Sequence, residues 1–498
     1  FATGTEPGAH GIFGSIGRPW GTYWISPHST YVAEDANFVW GLLKTIGIQY
    51  TSKRRSPTFW EILSEQKIPS ILVRAPGTFP APDRSRVTSL SGSETPDLMG
   101  NRVAYFHFSS AYEDEKSTLL GGRLVPVQQD DEWYRGEFGG FWNPVVQDKI
   151  TQVRGKRLGV TLTRVERQVL LWLLERADGS RTAETDREHL YTVIGRVGQD
   201  LRTGSVSTRN KYLPDLKRLR AIVDEPDGSE AIDWLAQEDH PDKDGLRKTI
   251  RDYRQQEENL LKEQRALEES PGIPPSIAKP VGFRIADESS VVVDFEDNKN
   301  MIFQNEWSDW FEVTYSITPF SRIHGLTRFY LQSVNPELNV YMHTVIADPK
   351  DSSLPISHPS GYGKELAEHL GAFETKGRSA ETFGLCDEKL DEEAFMQDLL
   401  DRLRLQEAIT FYTLENKKYS LFLSVFDAAD RVAAVMGRHL DPLHPRYDPR
   451  AAAKYRDTLK QIYVQMDSII GKALDSIDAN TVLVVVSDHG VRPFRYQV

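Results

Sequence analysis

The chain has one cysteine, Cys386, in 498 residues. A single thiol excludes an internal disulfide and any cluster of thiolate metal ligands. It says nothing about compartment, because exported bacterial proteins often lack disulfides. Long apolar runs are missing too, and no segment approaches the roughly 18–20 residues needed to span a bilayer. Basic residues are outnumbered: the formal net charge is −12. That argues against a general nucleic-acid binder, since phosphate neutralisation needs a basic surface. A local basic pocket for a phosphate ester stays compatible with it. The chain opens on Phe1-Ala-Thr-Gly4, without an initiator methionine, and no stretch within it reads as a signal peptide. Both ends are expected to cut through a domain. With an export signal upstream of Phe1 the compartment is periplasmic or extracellular, and otherwise it is cytoplasmic. No internal repeat is visible, and the oligomeric state is not set by the sequence.

What is present reads as α/β. The length allows a large core and more than one structural unit. Pro57-Thr-Phe-Trp-Glu-Ile-Leu63 predicts a helix start, with proline near its first turn. Ile68–Arg74 follows as a strand, and the aromatic–polar alternation of 101–148 predicts β structure. From 149 to 275 the character changes. Val169–Leu174 sits in a helical stretch, basic residues cluster from Arg209 to Arg220, and 243–268 is densely charged with few apolar positions. The last of these predicts a solvated helix or hairpin. Pro271-Gly-Ile-Pro-Pro275 closes the region like a linker. We read 1–148 and 276–498 as two parts of one core and 149–275 as a largely helical, charged insertion or cap.

Strand patterning returns at Ser290–Asp294 and Leu326–Leu331. A helix is expected over 391–413, opening on the acidic Asp391-Glu-Glu393. The strand Leu421–Phe426 comes next, then a long helix near 449–475. Tyr455, Leu459, Ile462, Met466, Ile469 and Ile470 recur there at three- and four-residue spacing. Thr481-Val-Leu-Val-Val-Val486 reads as a strand buried on both faces. A right-handed crossover would set it parallel to 421–426 in one sheet. Ligands in such sheets bind beyond the carboxyl ends of the strands. There the sequence places Asp427 and Asp430 after one strand, and Ser487-Asp-His-Gly490 after the other. Two carboxylates and a neutral imidazole, Asp430, Asp488 and His489, suit zinc, with manganese as second choice. The same residues have an ordinary reading, with Asp430 as a helix N-cap, Asp488 as a turn former and His489 as a surface histidine.

Several segments carry a resemblance. They are Thr3–Pro7 with His10–Phe13, Ser56–Trp60, Thr78–Pro80, Leu90–Gly92 with Pro96–Leu98, and Glu306–Trp310. His324–Tyr330, Asp441-Pro442 with His444-Pro445, and Ser487–Gly490 complete the set. In this order and spacing they resemble the alkaline phosphatase superfamily, in its type I phosphodiesterase/nucleotide pyrophosphatase branch. The likeness covers roughly 1–130 and 280–498. It implies a three-layer α/β sandwich with a mostly parallel central sheet. It also implies two divalent ions, most often Zn²⁺, flanking a serine or threonine nucleophile that forms a covalent phosphoryl intermediate. Asp488 and His489 would be metal ligands, and Asp430 the aspartate of the family's Asp-x-x-x-His pair. His10 matches a position near the site without an assigned role. The substrate class implied is a small-molecule phosphate ester, with no nucleic-acid partner.

Three departures accompany the likeness. The nucleophile and a first metal-binding aspartate are expected upstream of Phe1, and a further histidine downstream of Val498. Within the chain, Asp430-Arg-Val-Ala-Ala434 has alanine where the family has histidine. His439 lies nine residues after Asp430, in the wrong helical phase to replace it. Loss of one imidazole should weaken or abolish one ion. The expected function is therefore a metal-dependent phosphoesterase. The rival is a catalytically impaired homologue that binds a phosphorylated ligand or a protein partner. A sulfatase is disfavoured, because Cys386 sits in Leu-Cys-Asp-Glu-Lys and not in the Cys-x-Pro-x-Arg context that the modified residue needs. A faint winged-helix likeness at Leu162–Glu166 and Leu216–Arg220 yields to an ordinary amphipathic cap. Trp307 and Trp310 are expected to pack. Arg328 is expected either to contact phosphate or to form an ion pair beneath the site.

Overall fold

The computed structural model describes residues 3–4, 31–40, 43–52, 54–100, 104–118, 120–142, 144–177, 184–203, 206–224, 243–268, 276–296, 298–318, 321–377, 381–487 and 489–490. They form a mixed α/β structure that divides into two compact units. One comprises Phe1–Ala33, Tyr50–Phe141 and Ala278–Val498, and the other Glu34–Gln49 and Trp142–Ile277.

The second unit is mainly helical, with helices Pro144–Ala177, Glu184–Thr203, Val206–Asp224 and Lys243–Glu268. Leu158, Leu162, Val165, Val169 and Trp172 recur every three or four residues along the first helix, so they share one stripe. That stripe packs on Leu190, Ile194 and Val197 and on Leu216, Leu219 and Ile222 of the next two helices. The fourth helix buries only Leu246, Ile250 and Gln264. Its charged face is partnered along the first helix: Arg247 pairs with Glu175 at 2.6 Å, Arg164 with Glu257 at 2.9 Å, and Arg154 with Glu268 at 3.1 Å. The pairs run in opposite sequence directions, so the two helices are antiparallel.

In the first unit a four-stranded sheet has the order Ser357–His358, Val87–Ser91, Ser70–Ala75, Leu421–Ser424. The last three strands are parallel, with Leu421 opposite Ser70 and Ser70 opposite Val87. Side chains alternate between faces. Ile71 and Val73 meet Tyr362, Leu366 and Ile409 on one face, while Leu72 meets Trp60 on the other. Trp60 is held by the short helix Phe59–Glu65. Thr58 and Glu61 close that helix's N-terminus with a reciprocal capping box.

A second sheet has the order Phe329–Ser333, Asn339–His343, Tyr105–Ser109, Arg123–Pro126, Lys116–Ser117. Its Tyr105, Tyr330 and Tyr341 pack on residues of helices Glu392–Asn416, Ala428–Met436 and Thr458–Asp475. The expected helix over 449–475 is in fact two, Pro449–Tyr455 and Thr458–Asp475. Tyr455, Leu459, Ile462, Met466 and Ile469 nevertheless reach the same apolar cluster. The expected strand Leu326–Leu331 is split at Arg328 between Ser321–Thr327 and Phe329–Ser333.

One expectation is overturned. Thr481–Val486 forms no strand, and it is exposed throughout, with Val482 83 % accessible. Among the described residues, no strand pairs with the outer edge of Leu421–Ser424, whose side chains are only half-buried. A β-branched run is stable as an interior strand only when a ladder neighbour and both covering layers are in place. Among the described residues, neither the ladder nor the cover is present for this run.

Candidate functional site

Asp430 lies in the first turn of helix Ala428–Met436, two residues beyond Ala428 and just past the strand Leu421–Ser424. Its side chain is exposed. Asp427 holds the N-cap position of that helix and makes no side-chain cap hydrogen bond, so Asp430 is not the N-cap. Ala434 stands one turn after Asp430 on the same helix, half-buried and without a donor atom. His489 is exposed, with Nδ1 3.3 Å from the Gly490 carbonyl oxygen. Asp488 and His10 lie outside the described residues. Among the described residues, Asp430 and His489 join no group of three or more His, Cys, Asp or Glu donors.

His439 is engaged elsewhere through Nε2. It is buried, its Nε2 lies 3.4 Å from Glu392 Oε1, and its ring is 5.6 Å from that of Tyr455. Burial and the adjacent Arg438 push its pKa down. The helical-phase argument against it as a substitute for position 434 is thus matched by its packing.

Inward from Asp427, charged residues form a connected buried network. Asp398, on helix Glu392–Asn416, is completely buried and accepts from both Arg328 and Arg431, the latter at 2.7 Å. Arg328 lies over the rings of Trp307 and Trp310, 4.4 and 5.0 Å from their centroids. It is therefore a strut clamped by cation–π contacts, and of its two expected roles the structure shows the ion pair. Trp307 donates Nε1–H to the Ala394 carbonyl at 2.9 Å, which fits a packing role.

Arg402, from the same helix as Asp398, pairs with Glu374 and donates to the Gly377 carbonyl at 2.8 Å. It also lies 3.7 Å from Asp427. Arg74 has a positive φ of 57° and donates to the carbonyls of Glu374 and Lys376, both at 3.0 Å. Lys376 in turn reaches Asp97 at 3.3 Å. Burial alone would raise the Glu374 carboxyl, but Arg402 and His343 outweigh it and hold it well below the usual range. Desolvation likewise opposes ionisation of Asp427, and Arg402, Arg431 and Arg74 reverse the outcome. Burial and the nearby Arg402 lower Arg74 to about 10. Arg74, Arg328, Arg402, Arg431 and Lys376 all have carboxylate or carbonyl partners among the described residues, and so hold the sheet edge together.

The network ends at His343, Glu374 and Glu381, whose donor atoms all lie within 4.8 Å of one another. His343 closes the strand Asn339–His343, Glu374 follows helix Tyr362–Leu370, and Glu381 opens helix Glu381–Cys386. Burial opposes charge on the imidazole, yet Glu381 and Glu374 raise its pKa. Sequence reasoning did not find this trio. Its members come from three separate elements with no motif spacing, and the only cue is that each is a titratable residue among apolar neighbours.

No curated protein and no solved structure gives a significant match. No described helix is long and apolar enough to cross a membrane. The family model described as type I phosphodiesterase / nucleotide pyrophosphatase matches residues 282–498, a span that contains Asp398, Arg402, Asp430, Ala434 and the Ser487–Gly490 segment. Residues 282–498 are thus the part of the chain that is similar to the type I phosphodiesterase / nucleotide pyrophosphatase family.

Proposed function

We propose that this chain carries part of a metal-dependent phosphoesterase that hydrolyses small-molecule phosphate esters. The observation behind this reading is the family match over 282–498. Asp430, Asp488 and His489 would hold divalent metal, with zinc preferred for a carboxylate–imidazole donor set. When bound, such an ion polarises a phosphoryl oxygen and activates a hydroxyl nucleophile. The serine or threonine nucleophile is expected upstream of Phe1. Asp430 supports the reading by its position, exposed at the carboxyl end of a parallel strand where ligands of α/β sheets bind. A three-layer sandwich with a mostly parallel central sheet, and a cap formed by 149–275, belong to the same proposal.

A second reading is favoured by one residue. Ala434 gives no donor one helical turn from Asp430, and the metal pair would be short of an imidazole. In this reading the protein retains a phosphorylated ligand or a protein partner without turnover.

The test uses the protein with its natural flanking residues, loaded with zinc and assayed on a chromogenic phosphodiester. Asp430→Asn is expected to lower turnover at least about 100-fold, the upper end of the loss seen when a residue behind a metal ligand is removed. Equal turnover in variant and wild type would remove Asp430 from the site. Zinc binding without turnover would favour the impaired homologue.

A further inference from the structure

We propose that His343, Glu374 and Glu381 form a buried divalent-cation site, separate from Asp430, Asp488 and His489, with zinc as the ion best suited to it. The three side chains are 0 %, 5 % and 0 % exposed. Buried charges are paired with one another or coordinate a metal.

The imidazole identifies the kind of partner. His343 Nδ1 lies 2.6 Å from the Thr344 carbonyl oxygen. A carbonyl only accepts, so Nδ1 carries the proton and donates it. In the metal-bound form the ring is neutral, and Nε2 presents a lone pair towards the two carboxylates, where its contacts lack good hydrogen-bond geometry. A ring nitrogen fixed by a backbone carbonyl while the other faces a ligand position is the usual arrangement of a metal-bound histidine.

The spacing points the same way. Nε2 lies 3.3 Å from Glu381 Oε1 and 3.5 Å from Glu374 Oε1. Good N–H···O hydrogen bonds fall at about 2.7–3.2 Å. Ligands at the corners of a tetrahedron around zinc, with bonds near 2.0–2.1 Å, stand roughly 3.3–3.4 Å apart. The gaps around Nε2 therefore fit an ion between the groups better than direct contact. Glu374 is held from its other oxygen by Arg402, and the Trp310 ring closes one side 5.6 Å from the imidazole. Such an ion would join the strand end at His343, the segment after helix Tyr362–Leu370, and the start of helix Glu381–Cys386. Its role would be structural, because no solvent reaches the donors. The alternative occupant is a proton shared between His343 and Glu381.

Elemental analysis of the purified chain, exchanged into zinc and then freed of excess, separates the two. Glu381→Gln keeps the side-chain shape and weakens ligation. It is expected to lose one equivalent of zinc, and Asp430→Asn to keep that equivalent. Chelator should lower the thermal midpoint of wild type and leave Glu381→Gln unmoved. If Glu381→Gln does not fold, cobalt-loaded protein combining Asp430→Asn and His489→Ala takes its place, and four-coordinate visible bands are expected to persist. Equal zinc content in wild type and Glu381→Gln, or loss of the cobalt bands in the double variant, would overturn the site. A wild-type chain without zinc, and with a midpoint insensitive to the metal, would assign the cluster to a shared proton.

Discussion

Replacing Asp398 by alanine is expected to destabilise the chain by roughly 3–5 kcal/mol. Asp398 is completely buried and receives two guanidinium groups, Arg328 and Arg431. Neither cation can move to water, because both are themselves more than nine-tenths buried. Removal of the carboxylate therefore deprives two buried guanidinium groups of their shared counter-charge, which costs far more than an exposed ion pair contributes. Asp398→Asn keeps an acceptor and should fall between the variant and wild type. Urea unfolding, with an unchanged slope and a shifted midpoint, reads the effect. A loss below about 1 kcal/mol would mean that the network is screened like a surface pair.

Acid should destabilise the protein through His107 before the carboxylates titrate. His107 is buried in the strand Tyr105–Ser109, with Nε2 2.7 Å from Gln332 Oε1 and Nδ1 3.0 Å from the Tyr112 hydroxyl. Burial lowers its pKa from 6.5 to about 4, against an opposing contribution from Gln332 and with help from Lys389. A base with a depressed folded pKa binds its proton more readily when unfolded. Stability is thus fully present above pH 6.5 and is lost as pH falls towards 4. Each tenfold in proton affinity is about 1.4 kcal/mol, so the loss across this window is roughly 3 kcal/mol. His107→Gln should flatten this limb. Parallel pH profiles for the two proteins would assign the acid loss to other groups.

Much of the framework was legible because local chemistry and tertiary cover agree. Asp391 caps the helix Glu392–Asn416 by accepting from the Ala394 N–H, as its acidic start predicts. The apolar run 68–74 becomes the strand Ser70–Ala75 because covering residues exist on both faces. Thr481–Val486 has the same composition and the opposite fate. An apolar run records what a strand would bury, not whether a neighbour is there to pair with it. The break at Arg328 was equally hidden, since its cause is a side chain clamped by Trp307 and Trp310 and paired with Asp398. Asp430 and Ala434 came from the Asp-x-x-x-His pattern that the resemblance implies, and the structure shows only that they share one helix. His343, Glu374 and Glu381 were not legible, because only the fold brings them together.

The most direct measurement of the phosphoesterase reading is to put back the missing imidazole. Ala434→His, in the chain with its natural flanks, should raise zinc content by up to one equivalent. It should also increase phosphodiester turnover by at least about tenfold, the lower bound for a residue that supports a metal ligand. The same change combined with Asp430→Asn should lose the gain. No added zinc and no change in turnover would contradict the assignment of this helix face to the metal centre.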